Sequence, residues 1–417
     1  MDVDNLLNDP AFFATDRSYE LFDRLRREDP VRWTQSSDGR GYWSLFRHAD
    51  IKHVLHDPQL FSSEREGVFP VLDAELAKVA RDAWGIGENI AMVDPPRHTE
   101  LRKVISRPFG PNALLETEAR TKKLIGEIFD RLPEEGEIDL VEDLAVQIPM
   151  AVICDILRLP ESDWDDLLRW GKMAIGGTDP EYAQGTPAQT RDLGYRFLKE
   201  YSSRIIEARR GCPHADPLTR LANSLVQERP LTNSELMHNT AQVILAGFET
   251  TRSAFSGGVL GLLERPDQME RLRREPSLLR PASEEFIRWA NPVISLMRIA
   301  TSDTEIGGKR IRENERVILW FPSANRDDTV FDRPYDFDVS RNPNPHLGFG
   351  ASAHFCLGGP LAKMEIKLAL EELIGRYDGI EITGPVERVQ STLVGGLKHL
   401  PVRLKKKTAT SSRIGQT

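Results

Sequence analysis

One predicted helix of unusual length constrains the fold of this chain more than any other feature. Thr232 and Glu235 form a capping-box pattern at its start, and Pro266 forbids its continuation at the other end. Apolar residues recur between these limits at Val243, Ile244, Phe248, Phe255, Val259 and Leu262. At about 1.5 Å per residue, the helix would be roughly 50 Å long. We therefore expect it to cross the whole molecule and to pass through its interior.

The composition is that of a globular protein, with 40% hydrophobic and 29% charged residues among 417. A net charge of −9 argues against nucleic-acid binding, and no apolar run approaches the ~20 residues of a membrane span. Three cysteines at unrelated spacings predict no disulfide framework. The acidic start of the sequence shows no signal-peptide pattern. These features predict a cytoplasmic protein without a nucleic-acid or membrane partner.

Helical patterns dominate the rest of the chain, with a smaller share of strands. Residues 42–46 are predicted to form a strand and residues 48–56 a short helix. A second group of strand signals begins near Arg298, and Gly307-Gly308 marks a two-residue hairpin. Residues 317–321 are expected to extend the same small sheet. The predicted fold class is mainly α with a smaller β-rich lobe, which is built from the N-terminal region and residues 299–322.

A single cysteine, Cys356, lies between a loop at residues 349–355 and a run with apolar residues at helical spacing. A thiol at a helix N-terminus is held near unpaired N–H groups and the positive end of the helix dipole. Both favour the thiolate, which is the form that ligates metals. Gly350 and Gly358 allow the backbone to approach a flat, bulky group. The segment therefore favours a thiolate offered to a haem iron, and the alternative is an inert cysteine buried in a core turn.

These residues resemble the haem-binding loop of the cytochrome P-450 family, whose pattern is Phe-Gly-x-Gly-x-His-x-Cys-x-Gly. The pattern is matched by Phe349, Gly350, His354, Cys356 and Gly358. The departure is Ser352, which stands where the second glycine is usual. The family holds its haem iron through a cysteine thiolate. The resemblance therefore implies haem b as the cofactor, with Cys356 as the metal ligand and the other matching residues as cofactor-binding residues.

The same resemblance implies the cytochrome P-450 fold of the soluble bacterial type. The haem would lie between the long central helix and the helix that follows Cys356. Residues 1–417 would form a single domain of this kind. Residues 408–417 resemble a frayed end, and we expect a disordered tail there.

The long helix contains the run Ala246-Gly247-Phe248-Glu249-Thr250. A glycine in mid-helix costs ~1 kcal/mol relative to alanine, and such local rule-breaking is expected at functional sites. The resemblance implies that Ala246 and Gly247 provide a groove over the haem, and that Glu249 and Thr250 are catalytic. Glu249 would relay protons, and Thr250 would hydrogen-bond oxygen at the haem. The alternative is a surface-facing acid beside a threonine bonded to its own helix carbonyl.

Glu285 and Arg288 are spaced to share one face of a predicted helix. Such spacing usually means a surface ion pair worth under ~1 kcal/mol. The resemblance implies a structural role instead, in which both residues lock to Arg341 and brace the cysteine loop.

The resemblance also implies four cationic residues that bind the two haem propionates. His98 and Arg102 lie four residues apart and would share a helix face. Arg298 and His354 match the other two positions, and arginine suits the task because its guanidinium binds a carboxylate through two hydrogen bonds. Each of these residues alone could equally be a solvated side chain.

The reaction implied by the resemblance is that of a monooxygenase, which inserts one oxygen atom of O₂ into a C–H bond. Most of the pocket walls implied by the resemblance are apolar, which fits a lipophilic small molecule. A terpenoid or steroid-like lipid is one option, and an amino acid or acyl group held on a carrier protein is the other. The walls implied by the resemblance are residues 66–90 and 246–250 together with Ile294, Ser295, Leu296, Leu393 and Val394.

The sequence has no evident flavin or nicotinamide module, so electrons would come from outside. A ferredoxin and a ferredoxin reductase are the expected partners, and charge complementarity could dock an acidic iron–sulfur protein on Lys103, Arg107, Lys363 and Lys367. Two other functions remain open. One is a peroxide-driven haem peroxygenase, and the other is a non-catalytic haem gas sensor.

Overall fold

The computed structural model describes residues 2–70, 81–210, 212 and 216–407. The predicted tail at residues 408–417 therefore lies outside the described residues. The helices include α1 (Val3–Asn8), α2 (Arg17–Glu28), α3 (His48–His56), α4 (Arg97–Ile105), α5 (Pro111–Asp130), α6 (Gln147–Leu157), α7 (Trp164–Gly176), α8 (Pro187–Arg209), α9 (Pro217–Ala222), α10 (Asn233–Leu263), α11 (Pro266–Arg274), α12 (Leu279–Ala290), α13 (Phe321–Ala324) and α14 (Gly359–Arg376).

Most strands are shorter than most helices, and they fall mainly within residues 31–62 and 295–406. They are β1 (Val31–Thr34), β2 (Tyr42–Leu45), β3 (Phe61–Ser62), β4 (Glu135–Asp139), β5 (Leu225–Val226), β6 (Arg229–Pro230), β7 (Ser295–Ala300), β8 (Thr304–Ile306), β9 (Lys309–Ile311), β10 (Arg316–Trp320), β11 (Tyr377–Ile382), β12 (Glu387–Arg388), β13 (Leu397–His399) and β14 (Pro401–Lys406). The predicted fold class, mainly α with a smaller β part, is confirmed.

The long helix α10 has the predicted limits. Thr232 accepts a hydrogen bond from the backbone N–H of Glu235, and the Glu235 side chain accepts one from the backbone N–H of Thr232, so both halves of the capping box form. The N-terminal half of α10 packs into one apolar core through Ile244 and Phe248. The C-terminal half packs into another through Phe255 and related side chains. The segment between these halves carries the predicted catalytic residues.

The largest sheet has the strand order β1-β2-β10-β7-β3. Its third strand, β10, runs parallel to β2 and antiparallel to β7, and every residue of β10 is buried. A run of Val317, Ile318 and Leu319 suits such a strand, because both of its faces meet apolar neighbours. The sheet therefore joins the N-terminal region to residues 295–320, as the strand pattern predicts.

The hairpin β8–β9 corrects one expectation. It was expected in the same sheet as β10, but it forms a two-stranded sheet of its own. The physical reason is polarity: Glu305, Lys309 and Arg310 are exposed, whereas β10 is buried throughout. A hairpin of charged residues is stable in water at the edge of the molecule and unsuited to the buried sheet.

The helix α14 packs its apolar residues, among them Ile366, Leu370 and Leu373, into the same core as the C-terminal half of α10. The two helices thereby enclose the cavity described below. Among the described residues, no helix combines the length and the apolar character needed to cross a bilayer.

Candidate functional site

A cavity of about 330 Å³ lies between the middle of α10 and the loop that precedes α14. Most of its wall is apolar, but a compact group of polar side chains occupies one side. These polar residues are His98, Arg102, Arg298, His354 and Cys356. Residues 71–80, part of the predicted wall at residues 66–90, lie outside the described residues, whereas Val68, Phe69 and Ile90 line the cavity.

Only one cysteine of the described residues lines this cavity. Cys154 is buried in an apolar core, and burial raises the pKa of its thiol to about 12. Cys212 is half-buried outside the cavity. Cys356 has an accessible surface because its side chain faces the cavity, although protein surrounds it on other sides. Cys356 is therefore the cysteine that a ligand in the cavity would meet.

The environment of Cys356 differs from the expectation in one respect. Helix α14 begins at Gly359, three residues after the cysteine, and the backbone N–H groups of Gly358 and Gly359 face the sulfur. They favour the thiolate, as does the charge of Arg102. Burial nevertheless outweighs them and raises the pKa of Cys356 above its ordinary value. A bound metal ion reverses this balance, since a coordinating thiol is deprotonated outright.

The loop before Cys356 has two residues in the left-handed region. Gly350 has φ +69° and Ser352 has φ +56°. The positive φ of Ser352 explains why the family pattern has glycine at this position, because glycine adopts the left-handed conformation without a steric cost. The loop keeps its shape despite the serine: the backbone N–H of Cys356 donates to the carbonyl of Phe349 at 2.9 Å.

The four predicted cationic residues converge on the cavity. The imidazole rings of His98 and His354 lie 4.1 Å apart between centroids. Arg102 donates to the carbonyls of Ala353 and Phe355 at 3.0 and 2.7 Å, which ties α4 to the cysteine loop. Arg298 is buried and donates to the carbonyl of its neighbour in the chain. The structure thus brings together residues that are up to 256 positions apart in the sequence.

The protein itself supplies little negative charge to these two arginines and two histidines. Burial and the charge of Arg102 lower the pKa of His98 to about 4. Burial, Arg298 and the two neighbours lower the pKa of His354 to about 2, and burial lowers the pKa of Arg298 to about 10. Among the described residues, Arg102 and Arg298 donate to backbone carbonyls alone, and the buried Nδ1 of His98 has no partner.

A flat group that carries two carboxylates and accepts a sulfur ligand fits this arrangement. Carboxylates would supply the negative charge that the two arginines lack, and the guanidinium groups can bind them through paired hydrogen bonds. The sulfur of Cys356 would supply the single thiolate ligand. Haem has both features, so the residues present fit haem.

On α10 the structure separates the two predicted catalytic residues. Ala246, Gly247 and Thr250 line the cavity, and the Thr250 hydroxyl donates to the carbonyl of Ala246 at 3.3 Å. Glu249 does not line the cavity. Its carboxylate accepts a hydrogen bond of 2.9 Å from Arg252, and both side chains are buried. Successive helix residues are rotated by about 100°, which places Glu249 on another face of α10 than Thr250.

Gly247 also has a packing role that the sequence did not reveal. A Cβ atom at this position would lie 2.6 Å from Cγ1 of Ile153 on α6. The glycine therefore lets α6 approach α10 closely, in addition to lining the cavity.

The predicted structural residues form a buried ionic cluster beside the cysteine loop. Glu285 and Arg288 are fully buried, with two N–O distances of 2.7 Å. Arg341 lies 3.3 Å from the same carboxylate and donates to three backbone carbonyls in residues 332–336. Asn344 also donates to Glu285 at 3.0 Å. The cluster thereby fastens α12 to the segment that leads to the loop.

Three of the five predicted pocket residues line the cavity, namely Leu296, Leu393 and Val394. Ile294 and Ser295 do not. Ile294 packs in a different apolar core, and the Ser295 hydroxyl donates to the carbonyl of Thr392 at 2.7 Å. For Ser295 the reason is the alternation of strand β7, in which Leu296 and Arg298 share the cavity face and Ser295 points the other way. Ile294 precedes the strand, so this alternation does not apply to it.

The segment that supplies Leu393 and Val394 is held by an ionic network. His399 places Nδ1 at 2.5 Å from Asp139 and Nε2 at 3.3 Å from Glu181. Lys398 contacts both Asp179 and Glu181 at 3.1 Å. Partial burial lowers the pKa of His399, but Asp139 and Glu181 outweigh burial and raise it above its ordinary value. The loop between α7 and α8 is thereby tied to the cavity wall.

Sequence reasoning missed several cavity residues, including Gln242, Thr251, Ile153 and Glu365. Ile153 and Glu365 lie on helices whose approach depends on tertiary packing, so no local pattern marks them. Gln242 could have been found, since it lies four residues before Ala246 and eight before Thr250, on the same face of α10.

Comparisons with known proteins identify the class of protein. The sequence profile of the family Cytochrome P450 matches residues 277–398. The chain is 35% identical to the linalool 8-monooxygenase of Pseudomonas putida over 402 residues, which cover 95% of this chain and 98% of that protein. The chain therefore belongs to the cytochrome P450 family, and it is a monooxygenase of that family.

Solved structures agree with this assignment. The Mycobacterium marinum cytochrome P450 CYP268A2 in complex with pseudoionone superimposes with a TM-score of 0.88 at 30% identity, covering 95% of this chain and 97% of that chain. P450BioI in complex with an acyl carrier protein ligated to hexadec-9Z-enoic acid gives a TM-score of 0.83 at 26% identity, covering 93% and 98%. The cytochrome P450 fold predicted for the chain is confirmed.

Proposed function

We propose that this protein is a haem b monooxygenase that hydroxylates a C–H bond of an apolar small molecule. One oxygen atom of O₂ enters the C–H bond and the other leaves as water, which consumes two electrons from a donor and two protons. The observation that carries the proposal is the convergence of the Cys356 sulfur, two histidines and two arginines without a carboxylate partner among the described residues on one cavity.

In this proposal, each group of residues has a separate task. Cys356 supplies the thiolate ligand, and His98, Arg102, Arg298 and His354 bind the propionates. When bound, haem supplies the oxygen-activating chemistry of the reaction, as it does in thiolate-ligated members of the family. The protein holds the substrate beside it, excludes water through apolar walls and delivers protons.

Proton delivery is assigned to Thr250 and Glu249 with different roles. Thr250 faces the cavity, where its hydroxyl can turn from the Ala246 carbonyl to an oxygen atom in the site. Glu249 lies outside the cavity wall, where Arg252 holds its carboxylate, so it takes part in proton delivery without contacting the cavity. One carboxylate oxygen of Glu249 is buried without a partner, so this group can exchange a proton only after a change of rotamer or through water.

The apolar wall supports a lipophilic substrate. Linalool, named for one relative, and pseudoionone, bound in one similar structure, are both small terpenoid compounds. We therefore place the substrate in the terpenoid class. A carrier-bound acyl chain is the second candidate, and the P450BioI complex is the observation that favours it.

We assign the electrons to a ferredoxin and its reductase. The proposed docking face contains Lys103, Arg107, Lys363 and Lys367. Lys103 is largely exposed and lies 2.7 Å from Glu100, and Lys363 lies 2.9 Å from Glu284. Charge reversal at Lys103 and Lys363 together should slow reduction by an acidic ferredoxin, and unchanged reduction rates would remove the docking assignment.

Consumption of NADH in the presence of ferredoxin, reductase and a panel of terpenoids tests the proposal. Substrate-dependent consumption with hydroxylated product supports it. Turnover with hydrogen peroxide alone would instead indicate a peroxygenase. Binding of gases without any turnover would indicate a sensor.

A further inference from the structure

The cavity wall contains a glutamine on the N-terminal half of α10 that no described residue engages. Gln242 lies on α10 and lines the cavity. It is half-buried, and its amide group forms no hydrogen bond with any described residue. Its amide can both donate and accept hydrogen bonds, so a ligand could satisfy it in either way.

The polar residues one turn earlier on α10 are fully occupied. Asn239 donates to the carbonyls of Glu88 and Glu235 at 2.9 and 2.7 Å and accepts from the backbone N–H of Ile90 at 2.9 Å. His238 lies 3.5 Å from the carboxylate of Glu88. These contacts fasten residues 88–90, and with them the cavity wall, to α10. Gln242 makes none of these contacts, so its amide group is available to hydrogen-bond a ligand.

Gln242 is well separated along α10 from Thr250, which also lines the cavity. Gln242 precedes Thr250 by eight residues, which is about 12 Å along the helix axis. The cavity therefore extends from Thr250 to an amide group about two helix turns earlier on α10, and apolar side chains such as Val243 and Leu296 also line it.

We propose that Gln242 determines substrate specificity by binding a hydroxyl or carbonyl group at one end of an otherwise apolar substrate. The C–H bond to be oxidised then lies at the opposite end, beside Thr250. This inference rests on the monooxygenase function proposed above and narrows its substrate to oxygenated terpenoids. The product carries its new hydroxyl group remote from the oxygen already present.

The expected preference follows from the cost of an unpaired amide group. A substrate with a hydroxyl group gains one hydrogen bond, whereas a hydrocarbon of the same shape leaves the amide unsatisfied against apolar surface. The resulting preference for the alcohol is about tenfold in the dissociation constant, corresponding to ~1.4 kcal/mol.

The test uses the haem-loaded enzyme and matched ligand pairs. Menthane, bornane and farnesane skeletons are each titrated as the hydrocarbon and as the alcohol, and the spin-state shift of the haem reports binding. Gln242→Met keeps the length of the side chain and the helix propensity but removes the amide. Gln59→Met is the matched control, because Gln59 is exposed and does not line the cavity.

We expect the wild type and Gln59→Met to prefer the alcohols about tenfold, and Gln242→Met to lose the preference through weaker binding of the alcohols alone. With ferredoxin and reductase, Gln242→Met should also give a broader mixture of hydroxylated positions. Equal binding of alcohols and hydrocarbons by the wild type, or equal weakening of both by Gln242→Met, would overturn the inference. A protein with an intact thiolate spectrum that binds neither class would refute the apolar-substrate proposal and, with it, this inference.

Discussion

Replacement of Glu285 by glutamine tests the buried ionic cluster. The carboxylate accepts hydrogen bonds from Arg288 at 2.7 Å on each oxygen, from Asn344 at 3.0 Å and from the backbone N–H of Asp338 at 2.9 Å. Arg341 lies 3.3 Å away. Glutamine removes the negative charge and places an NH2 group where the native carboxylate accepts hydrogen bonds. Arg288 and Arg341 therefore remain without a carboxylate partner.

Breaking a buried ion pair by removing one partner costs about 3–5 kcal/mol, compared with a total stability of about 5–15 kcal/mol for a typical protein. Glu285→Gln should therefore lose much of the stability of the enzyme. The matched control is Glu284→Gln on the same helix, because Glu284 is only partly buried and pairs with Lys363 near the surface and with His346 at 3.1 Å. A surface pair such as that with Lys363 contributes about 0–1 kcal/mol, and the glutamine amide can still hydrogen-bond His346.

Equilibrium unfolding in guanidinium chloride, followed by tryptophan fluorescence and the haem Soret band, measures both variants. We expect a large shift of the midpoint for Glu285→Gln and a small one for Glu284→Gln. If Glu285→Gln does not accumulate as folded protein while Glu284→Gln does, the difference in folded yield carries the same result. Equal midpoints for the two variants would refute the structural role of the cluster.

Three further predictions concern the loop, α10 and the C-terminal network. Ser352→Gly should stabilise the protein by about 0.5–1 kcal/mol, because the relief of a left-handed backbone conformation (~1–2 kcal/mol) exceeds the entropic cost of glycine. The control is Ser302→Gly, which should destabilise the protein in the same unfolding assay, because Ser302 does not have a positive φ. Thr250→Ala should lower product formed per NADH about tenfold, whereas equal losses for Thr250→Ala and Thr251→Ala would remove the special role of Thr250. His399→Gln should lower the free energy of unfolding below about pH 6 and should have no effect on it above the raised pKa of His399. The reason is that a group with a raised pKa stabilises the fold through its protonated form. A loss of stability that does not depend on pH would contradict this.

The limits of α10 could be read from the sequence because they depend on local signals. A capping box and a proline act within one turn of the helix, wherever the helix packs. The same holds for the predicted hairpin, whose two strands β8 and β9 are joined at Gly307-Gly308. Its separation from the main sheet depends on tertiary burial, which no local pattern contains.

The convergence of His98, Arg298 and His354 is a tertiary result. Their positions could be proposed only through the family resemblance, because nothing in their local sequence points to a shared cavity. Two predicted site residues do not line the cavity, for reasons of orientation. Glu249 lies one residue from Thr250 but about 100° around the helix, and Ser295 has the opposite orientation to Leu296 on β7.

The central claim is that the sulfur of Cys356 ligates a haem iron in this cavity. The most direct measurement is the absorption spectrum of the reduced protein with carbon monoxide, compared between the wild type and Cys356→Ala. We predict the red-shifted Soret band of thiolate coordination in the wild type and its loss in the variant. A wild-type spectrum typical of imidazole ligation, or an unchanged band in Cys356→Ala, would contradict the claim.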